Sequence, residues 1–398
     1  MISKRMTKSL QEAISIRDIF EEGKKLAAVY GKENIFDFSI GNPSVAPPAI
    51  VNETMKEILD TEEPLALHGY PSNVGHPEVR QCIADDLNKK YGMKYDIGNI
   101  VMTSGAASAL ALICNTVLDR EDEVITFAPY FWEYKSYVET LYGKLVPALC
   151  DQQTLQPDEE TFRAAFSEKT KLVFINTPNN PTGAVYTKKS LRMVADVMRE
   201  MSEKYGHPIY LVSDEPYRKL AYDGAEVPFL PDFYKDTLVV YSYSKTLSIP
   251  GERIGYIAIT PQAADVEELF AGLTASLRYM GYVNAPSLQQ KMLLKCYDAA
   301  VDISIYEKNR NCLYRGLTDL GYECIRPDGA FYLFMRALEE DDWAFCQEAK
   351  KERILMAPGK AFYGPGFVRI SYCVPYEVVE NSIPAFERLM DRYKKNRK

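Results

Sequence analysis

Histidine is scarce in this chain: its 398 residues include three, His68, His76 and His207, far apart and each in a loop-like context. So few leave little from which to build a metal centre or a histidine-centred triad, and no metal is expected. Paired cysteines are lacking as well. Eight cysteines are scattered without a C-x-x-C pair, and the first residues carry no apolar signal segment. Free thiols in a reducing cytoplasm are the expectation. No apolar stretch is long enough to span a membrane, and there is no repeat or low-complexity tract. Positive charge is also in deficit, 47 Lys and Arg against 55 Asp and Glu leaving a net −8. That balance argues against nucleic acid and against a membrane surface as partners. These absences leave chemistry on small molecules. Length and a hydrophobic content of 46% allow two packed domains.

What is present is alternation. Runs at Ile100–Thr103, Val124–Phe127, Lys171–Ile175, Ile209–Val212, Leu238–Tyr241 and Gly255–Ile259 read as strands, interleaved with helical patterns. Such an order implies a largely parallel sheet with helices on both faces, in which ligands bind beyond the strand C-terminal ends. Outside this core, Lys8–Tyr30, Ala46–Leu59, Pro77–Tyr91 and Tyr306–Leu320 read as helices. Phe36–Ile40 and Gly329–Phe334 read as strands, Leu67–Gly75 as a polar loop, and Ala357-Pro358-Gly359 as a loop before a last strand. In that last strand Val368 and Ile370 face the core, and Arg369 points the other way.

The strand exits are chemically biased. Ser104-Gly105-Ala106-Ala107 opens a helix with small residues, leaving N–H groups to face an anion such as phosphate. After Phe127 come Tyr130-Phe131-Trp132, able to stack on a flat ring. Asn176 to Gly183 is a proline-rich turn presenting amides, and Val212 is followed by Asp214 and then Tyr217. Leu238–Tyr241 runs into Ser242-Tyr243-Ser244-Lys245, with Arg253 a short turn later. Taken singly, each has an ordinary explanation: a core aromatic, a helix cap, a surface lysine. Together they supply an amine, a carboxylate, an amide, a phenol, a flat face, a guanidinium and an anion-binding helix end. A pyridine aldehyde with a ring hydroxyl and a phosphate needs that set. Lys245 would hold the aldehyde as a Schiff base, and Asp214 would keep the ring nitrogen protonated. Asn180 and Tyr217 suit the ring oxygen, while Ser242 and Arg253 suit the phosphate.

At Asn179-Asn180-Pro181-Thr182-Gly183, Asp214 with Tyr217, Ser242-Tyr243-Ser244-Lys245, Arg253 and Val368-Arg369-Ile370-Ser371, the chain resembles a known family. It is similar, over nearly its whole length, to the pyridoxal-phosphate-dependent aminotransferases of fold type I, class I/II, aspartate/aromatic aminotransferase-like. The resemblance implies an α/β fold: a large domain with a mostly parallel seven-stranded sheet sandwiched by helices, plus a smaller α+β domain. Residues 1–45 would form an N-terminal arm and part of the small domain, 46–285 the large cofactor-binding domain, and 286–398 the small C-terminal domain. Pyridoxal 5′-phosphate is the implied cofactor, and Lys245 the group that also moves the substrate Cα proton. Amides at Ala106 and Ala107 would join Ser242 and Arg253 on the phosphate, and Phe131 would stack on the ring. In this resemblance Tyr70 reaches the phosphate of a partner subunit in a homodimer. Arg369 would fork the substrate α-carboxylate, with Gly41 and Asn180 beside it.

The implied reaction moves an amino group from an L-amino acid to a 2-oxo acid by a ping-pong mechanism. Arg278 resembles an arginine that some aspartate aminotransferases lend across the dimer to a distal carboxylate. Aspartate or glutamate is therefore the expected donor, with aromatic and small neutral donors open. C–S β-lyases and aminocyclopropane-carboxylate synthases carry the same lysine, asparagine, aspartate and arginine, and stand as the alternative. A transcription regulator with an aminotransferase-like domain would need a DNA-binding module, and about forty residues precede Gly41, too few for one of ordinary size.

Overall fold

Branched and aromatic residues dominate seven stretches that pair into one sheet. They are β1 (Ile100–Thr103), β2 (Glu123–Ala128), β3 (Lys144–Leu149), β4 (Thr170–Asn176), β5 (Tyr210–Asp214), β6 (Thr237–Ser242) and β7 (Gly255–Ile259). The spatial order is β1-β7-β6-β5-β4-β2-β3. β7 runs antiparallel to both its neighbours, and the other pairings are parallel. β3 is the strand that sequence reading passed over. It carries Pro147, which the ladder tolerates because β3 lies at the edge of the sheet. The computed structural model describes residues 2–3, 6–7 and 16–396.

The chain divides into two compact units, the larger Pro43–Ile303 with Pro327–Ala330, the smaller Met1–Asn42, Ser304–Arg326 and Phe331–Lys398. The expected boundary at residue 285 is therefore displaced. Helix Ser287–Cys296 stays in the larger unit because Met292, Leu293 and Cys296 join an apolar cluster with Val51, Ile58, Val79 and Ile83. The expected strand Gly329–Phe334 is also divided: Gly329 bridges to Ala221 in the larger unit, and the strand proper runs Tyr332–Arg336 in the smaller.

Within the larger unit, strand residues alternate between faces as a two-residue period requires. Leu172 and Phe174 of β4 join one apolar cluster, and Val173 and Ile175 join another. Leu110 and Ile113 of helix Ala106–Val117 and Leu273 of helix Val266–Tyr279 cover the first face. Leu191, Val194 and Met198 of helix Lys188–Tyr205 cover the second. Burial stabilises each such side chain by about 1.5–3 kcal/mol. The packed sheet ends in chemistry: Asn176, Asp214 and Ser242 are the last residues of β4, β5 and β6, three neighbouring parallel strands.

In the smaller unit, helix Ile16–Tyr30 is described from residue 16, and the rest of the helix expected from Lys8 lies outside the described residues. Phe36–Asp37, shorter than the strand expected there, pairs in parallel with Ile354–Leu355. Ala357–Pro358, expected as loop, forms a short strand beside Phe367–Ser371, which also pairs with Tyr332–Arg336. Phe367–Ser371 is thus the middle strand of three. Val368, Arg369 and Ile370 are all buried.

Candidate active site

Three strand ends set the floor of the site. Asn176 and Asp214 are direct neighbours in the parallel ladder between β4 and β5. Asp214 is buried, and its Oδ2 accepts a 2.6 Å hydrogen bond from the Tyr134 hydroxyl of helix Glu133–Glu139. Its other oxygen, Oδ1, is buried with no hydrogen-bond partner among the described residues. Burial raises the Asp214 carboxyl from an ordinary 3.8 to about 7, against the lowering effect of the Tyr134 bond, and the nearby Glu215 charge pushes the same way as burial. Burial and then Asp214 hold the Tyr134 phenol well above its usual value, so it remains the donor. Glu215 is itself held by Ser213 Oγ at 2.6 Å and by Arg218 Nη2 at 2.7 Å.

An orphaned carboxylate oxygen at the end of a parallel sheet calls for a cation or an N–H donor. The groups around it belong to the same large unit. Tyr217 and Asn180 are buried, and Asn180 N donates to Asn176 Oδ1 at 2.7 Å. Phe131 is half-buried with its ring edge-on to Tyr134 at 5.6 Å, whereas Trp132 is exposed. Lys245 lies in the short helix Tyr243–Thr246 just after Ser242 and is half-buried. Ser242 Oγ caps that helix, accepting from Ser244 N at 3.2 Å.

A cradle opens beside these groups. Arg253 has a left-handed backbone, φ 53°, and its Nη2 donates to Ser104 O at 3.1 Å. Gly105 follows, at φ 85°, as the cap of helix Ala106–Val117; a Cβ there would stand 3.0 Å from Arg253 Nη2. Gly255 pairs with Ser242, and a Cβ on it would strike the Tyr241 carbonyl and stand 3.2 Å from Gly105 Cα. Glycine at both positions lets Ser242, the Arg253 guanidinium and the first turn of the helix, Ala106 and Ala107, come together. That brings together N–H donors, a hydroxyl and a cation, the groups a phosphate needs. Together with the orphaned Asp214 oxygen, it fits a flat pyridinium bearing a phosphate.

The other expected residues lie elsewhere. Tyr70 is 91% exposed on the larger unit. Asn73 Nδ2 in the same loop donates to Val283 O at 2.7 Å, which ties that loop to the turn just after Arg278. Arg278 is exposed in the last turn of helix Val266–Tyr279. Arg369 belongs to the smaller unit, where its Nη2 donates to Ser39 O at 2.7 Å and its guanidinium lies over the Phe362 and Tyr332 rings at 4.5 and 4.7 Å. A Cβ on Gly41 would collide with the Tyr332 hydroxyl. Sequence reading missed Tyr134, and it took Asn176 as the start of the amide-presenting turn where the structure makes it the last residue of β4. Tyr134 stands three positions after Phe131, one helical turn on, and Asn176 is a polar residue at a strand end, like Asp214.

The fold is of the fold type I α/β class, a mostly parallel seven-stranded sheet with Asn176, Asp214 and Ser242 at three strand ends and Lys245 just after Ser242. The family model for class I and II aminotransferases matches residues 33–386, and the chain belongs to that family. A solved amino transferase from Eubacterium rectale is 46% identical, with a TM-score of 0.96 over 99% of each chain. A probable aspartate aminotransferase of Methanocaldococcus jannaschii is 31% identical over 95% of this chain and 97% of the relative. An aromatic-amino-acid aminotransferase 2 of Thermococcus litoralis is 29% identical over 97% of this chain and 99% of the relative. Class I and II aminotransferases are pyridoxal-phosphate-dependent transaminases, and this likeness favours transamination over the lyase alternative. Among the described residues no helix is long and apolar enough to cross a membrane.

Proposed function

We propose that this aminotransferase holds pyridoxal 5′-phosphate in the large unit's site and takes aspartate or glutamate as amino donor, as a cytoplasmic homodimer. The cofactor reading is carried by Asp214 Oδ1, a buried carboxylate oxygen with no partner among the described residues, where a protonated ring nitrogen would be held. When bound, the cofactor supplies an electron sink that makes the amino acid Cα–H acidic. The remaining work falls to the chain. Lys245 provides the amine for the cofactor aldehyde and the base that moves the Cα proton. Asp214 keeps the ring nitrogen protonated, and Asn180 and Tyr217 hydrogen-bond the ring oxygen. Phe131 packs on the ring face, and Ser242, Arg253 and the Ala106 and Ala107 amides hold the phosphate. Arg369, its guanidinium fixed by Ser39 O and two aromatic rings, takes the substrate α-carboxylate, with Gly41 of the same unit. Tyr70 and Arg278, exposed in adjoining surface segments, act in the partner subunit's site.

The acidic donor is supported by the aspartate aminotransferases among its relatives, such as that of Bacillus subtilis, and by the exposed Arg278. A titration of the cofactor-loaded protein with single amino acids, without oxo acid, tests it. Aspartate or glutamate should change the cofactor absorbance and release one 2-oxo acid per site. Arg278→Ala should raise KM for these two donors about tenfold or more, with little change for neutral donors. A preference for aromatic donors would reject the acidic-donor reading. Repeated turnover of a sulfur amino acid to ammonia and pyruvate would reject transamination.

A further inference from the structure

We infer that Asn176 is a positioning residue that sets Asp214 and Asn180 at a fixed spacing for the cofactor ring, a role that rests on the cofactor reading above. Asn176 is buried at the last residue of β4, opposite Asp214. Its Nδ2 donates to the Asp214 main-chain carbonyl at 2.9 Å, and its Oδ1 accepts from the Asn180 main-chain N–H at 2.7 Å. A side-chain primary amide has the same donor and acceptor as a peptide group. Here it extends the hydrogen bonding of β4 with β5 past the point where the chain leaves β4 and turns away. One planar group therefore spans two backbone segments: the strand end that carries the ring-nitrogen carboxylate and the loop that carries the ring-oxygen amide.

The loop does not depend on Asn176 for its internal shape. Asn179 Oδ1 accepts from Thr182 N at 3.1 Å and from Thr182 Oγ1 at 2.8 Å, and Gly183 N donates to Asn179 O at 2.8 Å. Nor does Asp214 depend on it for its carboxylate, which Tyr134 holds. What Asn176 contributes is the link between the two. No other residue type repeats it. Aspartate keeps the acceptor and loses the donor, leucine loses both, and glutamine adds a methylene to a buried position. Loss of the link leaves a buried carbonyl and a buried N–H to find new partners, which moves both segments.

The test is a double-mutant cycle read as cofactor affinity, using the full-length protein stripped of cofactor and titrated with pyridoxal 5′-phosphate. Asn176→Ala should weaken binding about tenfold or more, since two buried polar groups lose their partner. In an Asn180→Ala background the same substitution should cost clearly less, because one of the two groups it aligns is already gone. Equal factors in both backgrounds, or unchanged affinity, would overturn the inference and leave Asn176 as a residue of stability alone. Thermal unfolding of the cofactor-free variants separates the two cases, since a stability role lowers Tm without coupling to Asn180. Should Asn176→Ala fail to fold, Asn176→Asp, which keeps shape and the acceptor for Asn180 N and loses the donor to the Asp214 carbonyl, serves in the same cycle, with a smaller coupling of the same sign expected and the absence of coupling overturning the inference. Failure of the unsubstituted protein to bind the cofactor would overturn the cofactor reading and the role of Asn176 together. Binding by the unsubstituted protein without coupling would overturn the role of Asn176 alone.

Discussion

A buried carboxylate with one oxygen satisfied and the other bare is a costly arrangement, and it persists only where something else gains from it. In Asp214 the cost appears as a carboxyl raised from 3.8 to about 7, chiefly by burial. The folded, cofactor-free protein therefore holds this proton more tightly than the unfolded chain does. The stability it confers is fully present below about pH 4 and is lost as pH rises through about 7. Tm of the cofactor-free protein should fall across that window by more than Tm of Asp214→Asn, the difference corresponding to a few kcal/mol. Parallel Tm profiles would mean that Asp214 does not titrate there. Tyr134→Phe removes the bond that favours the charged form. The pH midpoint of cofactor binding should then move upward, by about one unit; a midpoint that stays put would reject the role of the phenol. Asp214 was legible in the sequence because an acid after an apolar run stands out. Tyr134 was not, because its meeting with Asp214 joins residues 80 positions apart and depends on how a helix seats on the sheet.

At the scale of elements, the cradle proposed for the phosphate is a meeting of two turns, one after β1 and one before β7, and glycine makes it possible. Gly105 sits at φ 85°, with the Arg253 guanidinium where a side chain would begin. Gly105→Ala should cost about 1–3 kcal/mol, because φ 85° with ψ 176° is a backbone region open essentially to glycine alone, and displace Arg253 as well. Its signature is a rise in the cofactor dissociation constant larger than the loss of Tm would suggest; a variant that binds the cofactor normally would remove Arg253 and the Gly105 turn from the cradle. Small residues opening that helix were visible in the sequence as an anion site, but the contact between Gly105 and Arg253 was not. Other elements went unread for local reasons. Pro147 disguised an edge strand, and the pairing of Ala357–Pro358 with Val368 and Arg369 gives strand character to residues whose own pattern has none. The larger unit's hold on Ser287–Cys296 comes from apolar contacts with helices more than two hundred residues earlier, which no local period could signal.

For the whole molecule, a largely parallel sheet with helices on both faces was legible because alternating strands and helices admit few topologies, and strand ends drew attention because such sheets place ligands there; the strand order and the antiparallel β7 were not legible. The remaining question is assembly. Tyr70 and Tyr279 are 91% and 83% exposed on the larger unit, with Tyr282 and Val283 close by in sequence at 37% and 39%. Aromatic and aliphatic exposure of this kind, on segments tied together by the Asn73–Val283 bond, suits a surface that a second copy covers. Light scattering should return twice the chain mass. The sharper expectation concerns which subunit Tyr70 serves. Tyr70→Ala and Lys245→Ala should each be poorly active, the first for want of a phosphate contact and the second for want of the amine. If Tyr70 acts across the dimer, subunit exchange between the two variants assembles hybrids in which the subunit with an intact Lys245 receives an intact Tyr70 from its neighbour. Random exchange then restores about a quarter of the unsubstituted activity, since half the dimers are hybrids and each carries one complete site of two. If Tyr70 acts within its own chain, no subunit in the mixture has both groups, and activity after exchange stays at the mean of the two variants.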